Sequence, residues 1–513
     1  MRRAVATTVA GIIIAGSAVA ACTGGTPGRT ALSNTTATSP GAASPSRPNI
    51  VFVLTDDLSK NLVPYMPHVQ ALARRGMTFS NYTVDDSLCC PSRASIFTGN
   101  YPHTTKIVVN SGKHGGFTEF HDRGEEQHTF AVTLHDAGYR TGFMGKYLNR
   151  YDATYPVPPV LRDWTPPQAT WVPPGWDEWD GVGFGYPQYD YNLNHNHRII
   201  HHGHRPKDYL NSVLQHYGTH FIGDAAQRKQ PFFLEVSSYT PHTPNTAAPR
   251  DVNSFPDLKA PRGPAFDRVP VNAPSWYRAR RAFRPHFIAA LDLRFRQRVE
   301  AVQSVDRMIG ALERQLRKSG QLADTVFVFS SDNGYHIGEH RLYPGKLTAY
   351  DTDVNVPLVV AGPGIAPGST NSDLVQNVDL APTFDELAGT KAPASVEGKS
   401  VVPLLHGRHP GWRSLALIEH SGPDLAPTDP DVQTIAEGNP PSYLALRSAQ
   451  FTYVRYYNGQ TEYYDRVKDP YELDNVADRL TPARRAQLQS WLAALHECSG
   501  GAQCWQAGRP GGL

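Results

Sequence analysis

Asn49-Ile50-Val51-Phe52-Val53-Leu54-Thr55-Asp56-Asp57 is an unbroken run of apolar and β-branched residues that ends in two aspartates. Such a run predicts a strand buried on both faces, as in the parallel sheets of α/β proteins. Residues 325–331 repeat the pattern and end in Asp332-Asn333-Gly334. Residues 231–237, which lead to His242, and residues 356–360 predict two more strands of the same kind.

Segments with a helical spacing of apolar residues lie between these strands, at residues 67–75, 129–137, 209–229, 291–318 and 378–388. Strands that alternate with helices predict an α/β fold, with a large, mostly parallel sheet flanked by helices. In such sheets the ligand site lies beyond the carboxyl ends of the strands. We therefore expect the side chains that follow the strands to meet there, namely Asp56, Asp57, His242, Asp332 and Asn333.

The three aspartates and the asparagine of this set offer only oxygen ligands. Oxygen ligands suit a hard cation, Ca²⁺ or Mg²⁺, better than zinc. A single aspartate after a strand is usually a helix cap or a turn residue. An Asp-Asp pair and an Asp-Asn pair at the ends of two buried strands favour a metal site.

The C-terminal part of the chain has a different pattern. Short strands are predicted at residues 415–419, 443–447, 451–457 and 462–464, followed by a helix from Thr481-Pro482 to about His496. This pattern predicts a small antiparallel sheet with a packed helix, and we place a large α/β domain at residues 48–405 and an α+β subdomain at 406–513. Cys498 and Cys504 flank a short Gly-containing loop, and an exported protein can keep the disulfide that we predict between them.

The N-terminus has the features of an export signal. Arg2 and Arg3 precede a short apolar run that ends at Val19-Ala20-Ala21-Cys22. We interpret residues 1–21 as a lipoprotein-type signal peptide with lipidation of Cys22, or otherwise as a plain secretory signal. Residues 22–47 are rich in Thr, Ser, Gly, Ala and Pro and predict a flexible tether. The protein is then exported, as a bacterial lipoprotein held on the outer face of the cell membrane by its lipid alone, or as a secreted protein.

The net charge of +2 at pH 7 indicates no nucleic-acid partner, because such partners usually require a clustered basic face. A basic run at residues 278–284 could steer an anionic polysaccharide, although such runs are more often simply solvated. The histidine-dense segment 194–204 lacks regular ligand spacing, so a polar loop is favoured there over a transition-metal site.

The segment Cys89-Cys90-Pro91-Ser92-Arg93, followed by Thr98-Gly99, resembles the signature of the type I sulfatases. Gly145-Lys146-Tyr147-Leu148-Asn149 and Ser331-Asp332-Asn333-Gly334-Tyr335-His336 resemble the N-acetylglucosamine-6-sulfatase and glucosamine-6-sulfatase branch of that family. The resemblance covers nearly all of the chain after residue 47 and implies an alkaline-phosphatase-like fold. Leu148 stands where many sulfatases have a histidine, a departure that this branch shares.

The resemblance also implies a set of roles. A separate formylglycine-generating enzyme would oxidise Cys89 to formylglycine, whose hydrate is the nucleophile. One Ca²⁺ would be held by Asp56, Asp57, Cys89, Asp332 and Asn333. The remaining catalytic residues would be Arg93, Lys146, His242 and Lys346. Among their neighbours, we expect Asn149 to contribute to substrate binding, and we leave two roles open for His336, a substrate contact or a residue that satisfies a loop.

The implied activity is hydrolysis of a sulfate ester, favouring the 6-O-sulfate of N-acetylglucosamine or a related glycan. Another sulfated sugar or an aryl sulfate is the alternative substrate. A protein of a different class, a catalytically silent lipoprotein that binds sulfated glycans, would result if Cys89 were never oxidised.

Overall fold

The computed structural model of the chain describes residues 47–151, 170–277, 280–409, 411–422, 429 and 431–511. Its strands are β1 Asn49–Thr55, β2 Met77–Phe79, β3 Tyr82–Thr83, β4 Arg140–Lys146, β5 Glu178–Val182, β6 Tyr191–His195, β7 Arg198–His202, β8 Phe232–Ser237, β9 Thr325–Ser331, β10 Leu358–Ala361, β11 Ser369–Asn371, β12 Val375–Gln376, β13 Ala416–His420, β14 Tyr443–Arg447, β15 Phe451–Tyr456 and β16 Thr461–Asp465. Its α-helices are α1 Pro67–Arg75, α2 Cys89–Thr98, α3 Pro102–Thr105, α4 Gly116–Asp122, α5 Phe130–Asp136, α6 Leu210–Arg228, α7 Pro285–Lys318, α8 Asp351–Val354, α9 Leu380–Leu387, α10 Val402–Leu405, α11 Pro482–His496 and α12 Gly501–Ala507.

The main sheet has ten strands in the order β11-β2-β10-β9-β1-β8-β4-β5-β6-β7. Its central strands β9, β1, β8, β4 and β5 are all parallel, which confirms the predicted α/β sheet. Strands β10, β6 and β7 pair antiparallel with their neighbours, so the sheet is mixed towards its edges. The strand predicted at residues 356–360 is β10. It runs antiparallel to its neighbours, whereas strands that alternate with helices are usually parallel.

Both faces of the sheet are covered by helices. Successive side chains of β1 point to opposite faces, so the strand contributes to a core on each side. Ile50, Phe52 and Leu54 belong to a core with residues of α2, α5 and α9. Val51 and Val53 belong to a second core with residues of α1, α6 and α7. This double burial is the reason that β1 contains no polar residue between Asn49 and Thr55.

The histidine-dense segment is not a loop, as the sequence suggested, but the edge hairpin of β6 and β7. Its strand pattern is weak because only Ile199 and Ile200 interrupt a run of polar residues. The expectations for the signal peptide, Cys22 and nearly all of the tether lie outside the described residues. Among the residues that are described, no helix is long and apolar enough to cross a membrane.

A second sheet, β13-β14-β15-β16, is antiparallel throughout, as predicted for the C-terminal part. Leu417, Leu446 and Tyr453 of this sheet form a core with Leu488 and Leu492 of α11. The predicted Cys498–Cys504 disulfide is present after that helix. Residues 45–513 form one compact unit, and a domain boundary after residue 405 stays a prediction.

Candidate active site

The carboxyl ends of the four central strands bring the predicted site residues together. Residues 54 of β1, 237 of β8 and 145 of β4 are aligned across the sheet, and Thr55 pairs with Ser331 of β9. Asp56 and Asp57 therefore leave the sheet beside Asp332 and Asn333, and Lys146 ends β4 at the same edge. The parallel direction of the strands is what gathers residues that are far apart in the sequence.

Cys89 is the first residue of α2 and has no exposed surface. Its Sγ lies 3.3 Å from Oδ1 of Asp56 and 2.9 Å from Nζ of Lys346. The N-terminus of a helix favours a bound anion, because its first backbone N–H groups have no partner within the helix. Position 89 thus combines a helix N-terminus with an adjacent lysine.

Two buried lysines are paired with the aspartates that follow β1. Nζ of Lys146 lies 2.7 Å from Oδ2 of Asp56, and Nζ of Lys346 lies 2.6 Å from Oδ1 of Asp57. Burial lowers the pKa of each lysine, but the facing carboxylates raise it well above its usual range. Both side chains are therefore held as cations in a site that excludes water.

Arg93 is a third buried cation, one helical turn after Cys89. Its Nε donates to Oδ2 of Asp332 at 2.8 Å, and its Nη1 donates to the Lys146 carbonyl at 2.8 Å and to Oγ of Ser237 at 2.7 Å. Nη2 of Arg93 is buried and has no hydrogen-bond partner among the described residues. The arginine therefore links the carboxyl ends of β9, β4 and β8, and the N–H groups of its Nη2 are left to bind another group.

The oxygen ligands fit a hard cation. Oδ1 of Asn333 is buried without a hydrogen-bond partner in the described structure, while its amide nitrogen donates to Oδ1 of Asp57 at 2.7 Å. An orphaned buried carbonyl oxygen is costly, and a bound cation removes that cost. Asp57 also has a φ of 62°, a strained conformation for a residue other than glycine that is typical of functional sites.

The surroundings shift the pKa values of the two aspartates Asp56 and Asp332 in opposite directions. Burial alone would raise the pKa of Asp56, but Lys146 and the other nearby cations hold it well below its usual range. Burial and the charge of Asp56 raise the pKa of Asp332 to about 6. Asp56, Asp57, Cys89 and His242 place potential ligand atoms within 4.8 Å of one another.

His242 follows β8 and faces the same centre. Its Nδ1 donates to the Thr243 carbonyl at 2.7 Å, so its Nε2 points to the carboxylates of Asp431, in a very short contact, and Asp57 at 3.7 Å. Burial lowers the pKa of His242, but these carboxylates raise it overall to about 9. The ring can therefore present a proton on Nε2.

An unmodified thiol at position 89 would be a poor nucleophile. Burial, followed by the charges of Asp431 and Asp56, raises the pKa of Cys89 well above its usual range, despite the opposing lysines. The reactive form of cysteine is the thiolate, which this environment disfavours. The pocket is thus built around position 89 but does not activate a cysteine there.

Sequence reasoning missed Asp431, whose carboxylate lies in the middle of the site. Its Oδ1 is 3.1 Å from Nζ of Lys346, and its Oδ2 accepts from Nδ2 of Asn110 at 2.8 Å and from Nδ2 of Asn149 at 3.3 Å. Asp431 belongs to the Pro-rich stretch that ends in Asp429-Pro430-Asp431, where no spacing or strand pattern marks it. Asn149, predicted to bind substrate, is thereby placed at the site.

Of the two roles left open for His336, the structure favours a residue that satisfies a loop over a substrate contact. The histidine is fully buried, with Nδ1 2.9 Å from Oδ1 of Asp353 and Nε2 3.0 Å from the Glu437 carbonyl. Both ring nitrogens are engaged by the protein, so neither can bond to a sugar in this arrangement. We interpret His336 as a residue that fixes the loop carrying Lys346.

Comparison with known proteins agrees with this geometry. The chain matches the Sulfatase family model over residues 48–390 and the model of the N-sulphoglucosamine sulphohydrolase C-terminal region over residues 338–497. It is 34% identical over 489 residues to the N-acetylglucosamine-6-sulfatase of Capra hircus, covering 90% of this chain and 85% of that protein. The human N-acetylglucosamine-6-sulfatase is 33% identical over 487 residues, covering 90% of this chain and 86% of that protein.

A solved structure has the same fold. It is a protein in complex with its substrate D-glucosamine-2-N,6-O-disulfate, with a TM-score of 0.71 and 22% identity, covering 87% of this chain and 97% of that one.

Proposed function

The chain belongs to the sulfatase family and is a sulfuric ester hydrolase, and we propose that it removes the 6-O-sulfate from N-acetylglucosamine or a related sulfated glycan. We further propose that it acts with a formylglycine formed from Cys89 and with one bound Ca²⁺. The observation that carries the proposal is a buried pocket in which Lys346 contacts Cys89, while Lys146 pairs with Asp56, itself in contact with Cys89, and Arg93 pairs with Asp332. The names of the two mammalian relatives support the choice of sugar.

The three cations explain how the pocket would promote sulfate transfer. Negative charge spreads over the sulfuryl oxygens in the transition state, as it does in phosphoryl transfer. Cations that are fixed in advance stabilise that charge without reorganisation. Lys146 and Lys346 would bind the sulfate oxygens, and Arg93 would orient the group at position 89.

His242 is the proposed proton donor to the departing sugar oxygen. The Thr243 carbonyl holds Nδ1, so the proton that can be given away is on Nε2, the atom that faces the site. A pKa raised to about 9 keeps that proton in place at neutral pH. Asn149, beside Asp431, would contact the sugar.

Asp56, Asp57, Asp332, Asn333 and the modified residue 89 would hold the metal. A hydrated formylglycine would supply one hydroxyl as the nucleophile and a second hydroxyl that loses its proton to re-form the aldehyde, which expels sulfate together with the oxygen that attacked sulfur, and Ca²⁺ would supply additional positive charge. The raised pKa of the Cys89 thiol supports a modified residue rather than a cysteine nucleophile. A formylglycine-generating enzyme is therefore a proposed partner.

We also propose export of the protein, with lipid on Cys22 or with plain secretion, and a division into a catalytic domain and a C-terminal subdomain near residue 405. Mass spectrometry of the mature N-terminus distinguishes lipidation from simple cleavage. A lipidated Cys22 would anchor the protein to a membrane, whereas cleavage at another residue would leave it free.

Sulfate release is the test of the activity. The protein is produced in a host that makes formylglycine and assayed with N-acetylglucosamine 6-sulfate, other sulfated sugars, an aryl sulfate and an aryl phosphate. We expect release from the 6-sulfated sugar and its loss in Cys89→Ala. If formylglycine is present at residue 89 by peptide mass but no compound releases sulfate, these substrates are wrong, and an untested ester or the glycan-binding protein is favoured.

A further inference from the structure

We propose that His103, Glu419 and His496 form a second metal site, outside the active site, that binds a borderline divalent cation such as Zn²⁺. His103 is in α3, Glu419 is in β13, and His496 is the last residue of α11. In the part of the chain that the structure describes, three or more potential ligand side chains converge at two places, the active site and this cluster.

The distances within the cluster suit a small cation. Nδ1 of His103 is 3.0 Å from Oε2 of Glu419, and Nδ1 of His496 is 2.8 Å from Oε1 of the same carboxylate. Ligand atoms of a tetrahedral Zn²⁺ lie about 3.3 Å apart, because each bond to the metal is about 2.0 Å long. Small side-chain movements would therefore complete the geometry.

The His103 ring is oriented as a metal ligand would be. Its Nε2 is 3.1 Å from the Cys498 carbonyl oxygen, which can only accept, so Nε2 carries a hydrogen. In a neutral ring, Nδ1 then presents a lone pair to the Glu419 carboxylate. A positive group must lie between them, either a proton or a metal ion. A ring N–H that donates to a backbone carbonyl is also how ligand histidines are commonly held.

The cavity beside the cluster argues for a metal ion rather than a proton alone. It has a volume of about 390 Å³, and its lining includes Asp86 and His420 but, among the described residues, no lysine or arginine. Glu419 is therefore a buried carboxylate that faces two imidazoles and no lysine or arginine of that lining, and a divalent ion held by all three side chains would offset the cost of burying its charge.

Two imidazoles and a carboxylate select the class of ion. Nitrogen ligands favour zinc and related transition metals over Ca²⁺ and Mg²⁺, which take oxygen ligands. The side chain of His496 is 34% exposed, so the ion could enter from solvent. Once bound, it would tie the end of α11 to both α3 and β13.

Zinc binding by the full chain tests the proposal. The exposed pair His216 and His220 of α6, with ring centroids 4.3 Å apart, could bind zinc itself, so both are changed to Asn in the parent protein. Excess Ca²⁺ in the buffer occupies the active site. Zn²⁺ content after equilibration and the thermal midpoint with and without Zn²⁺ are then measured for the parent, Glu419→Gln, His496→Gln and the control His201→Gln.

We expect the parent and His201→Gln to bind one Zn²⁺ and to unfold at a higher temperature with it. Glu419→Gln and His496→Gln should weaken zinc binding by more than about 100-fold and lose the shift, since each removes a ligand. His496→Gln decides the question if Glu419→Gln does not fold. The proposal is overturned if the parent binds no zinc at 100-fold excess over protein, or if the two ligand variants bind it as the parent does.

Discussion

Replacing Lys346 with methionine removes one positive charge from the proposed sulfate pocket and nearly preserves the side-chain volume. Nζ of Lys346 lies 2.6 Å from Oδ1 of Asp57, 3.1 Å from Oδ1 of Asp431 and 2.9 Å from Sγ of Cys89. The lysine is 1% exposed. Its charge therefore acts on position 89 without screening by solvent.

The size of the effect follows from these distances. Two unit charges about 3 Å apart attract each other by about 5 kcal/mol at an effective dielectric constant of 20. Part of that attraction compensates for burial of the charges, and removing one partner of a buried pair costs about 3–5 kcal/mol of stability. Loss of one fixed transition-state contact typically lowers kcat by about 10²–10³-fold. We expect Lys346→Met to show both losses.

Lys60→Met is the matched control, because Lys60 is also a largely enclosed lysine but lies outside the site. Its Nζ donates to the Ser80 carbonyl at 2.8 Å and to Oδ1 of Asn355, and burial lowers its pKa to about 8. The assay is kcat/KM for sulfate release, with formylglycine content and thermal unfolding measured on the same samples. Lys346→Met should lose turnover, whereas Lys60→Met should keep it.

Equal formylglycine content with a kcat/KM within threefold of the unchanged protein would refute a role for Lys346 in binding sulfate. An equal loss of activity in Lys60→Met would instead attribute the effect to stability.

Three further outcomes are expected. A chelator should abolish sulfate release until Ca²⁺ is restored, and Asn333→Ala should raise the Ca²⁺ concentration for half-maximal activity by about tenfold or more, because it removes the orphaned oxygen. Burial raises the pKa of Glu235 from 4.5 to about 8, so the folded state keeps a proton that the unfolded chain releases, and stability falls between those pH values. In urea unfolding, Glu235→Gln should therefore gain a few kcal/mol over the unchanged protein at pH 8 relative to pH 5. Replacing both Cys498 and Cys504 with Ser should cost about 2 kcal/mol of unfolding free energy, since the closed loop is short, and should leave sulfate release unchanged.

The site residues at the ends of the central strands were predictable from two sequence features, the apolar run that marks each strand and the polar pair that ends it. β1 and β9 are largely apolar runs, so the sequence alone located the ends of both strands. It thereby also located the Asp-Asp and Asp-Asn pairs that follow them. Because the strands are parallel, Asp56 and Asp332 were expected at the same edge of the sheet. They are neighbours because β1 and β9 pair directly. The Cys89 motif was identified from its resemblance to a family, not from any pattern of burial.

The loop residues could not be placed in this way. Asp431 and Asn110 reach the site through tertiary contacts, and nothing in their local sequence distinguishes them from ordinary loop residues. The motif position of His336, next to the proposed metal ligands, did not decide between a substrate contact and a loop role, and only the contacts of both ring nitrogens favour the second. The edge hairpin β6–β7 was missed because edge strands need no continuous apolar pattern.

If Cys89 is converted to formylglycine as proposed, its complete burial imposes an order of events on the synthesis of the protein. The residue begins α2 and has no exposed surface, and its Sγ contacts Asp56, which follows β1, and Asp431. A separate enzyme that oxidises this cysteine would have to reach it on a chain that has not yet folded. Folding and oxidation would then compete in time, and a chain that folds first would keep its thiol permanently. The active fraction of a preparation would therefore depend on the relative rates of these two processes during synthesis, and refolding a purified inactive sample would not recover it.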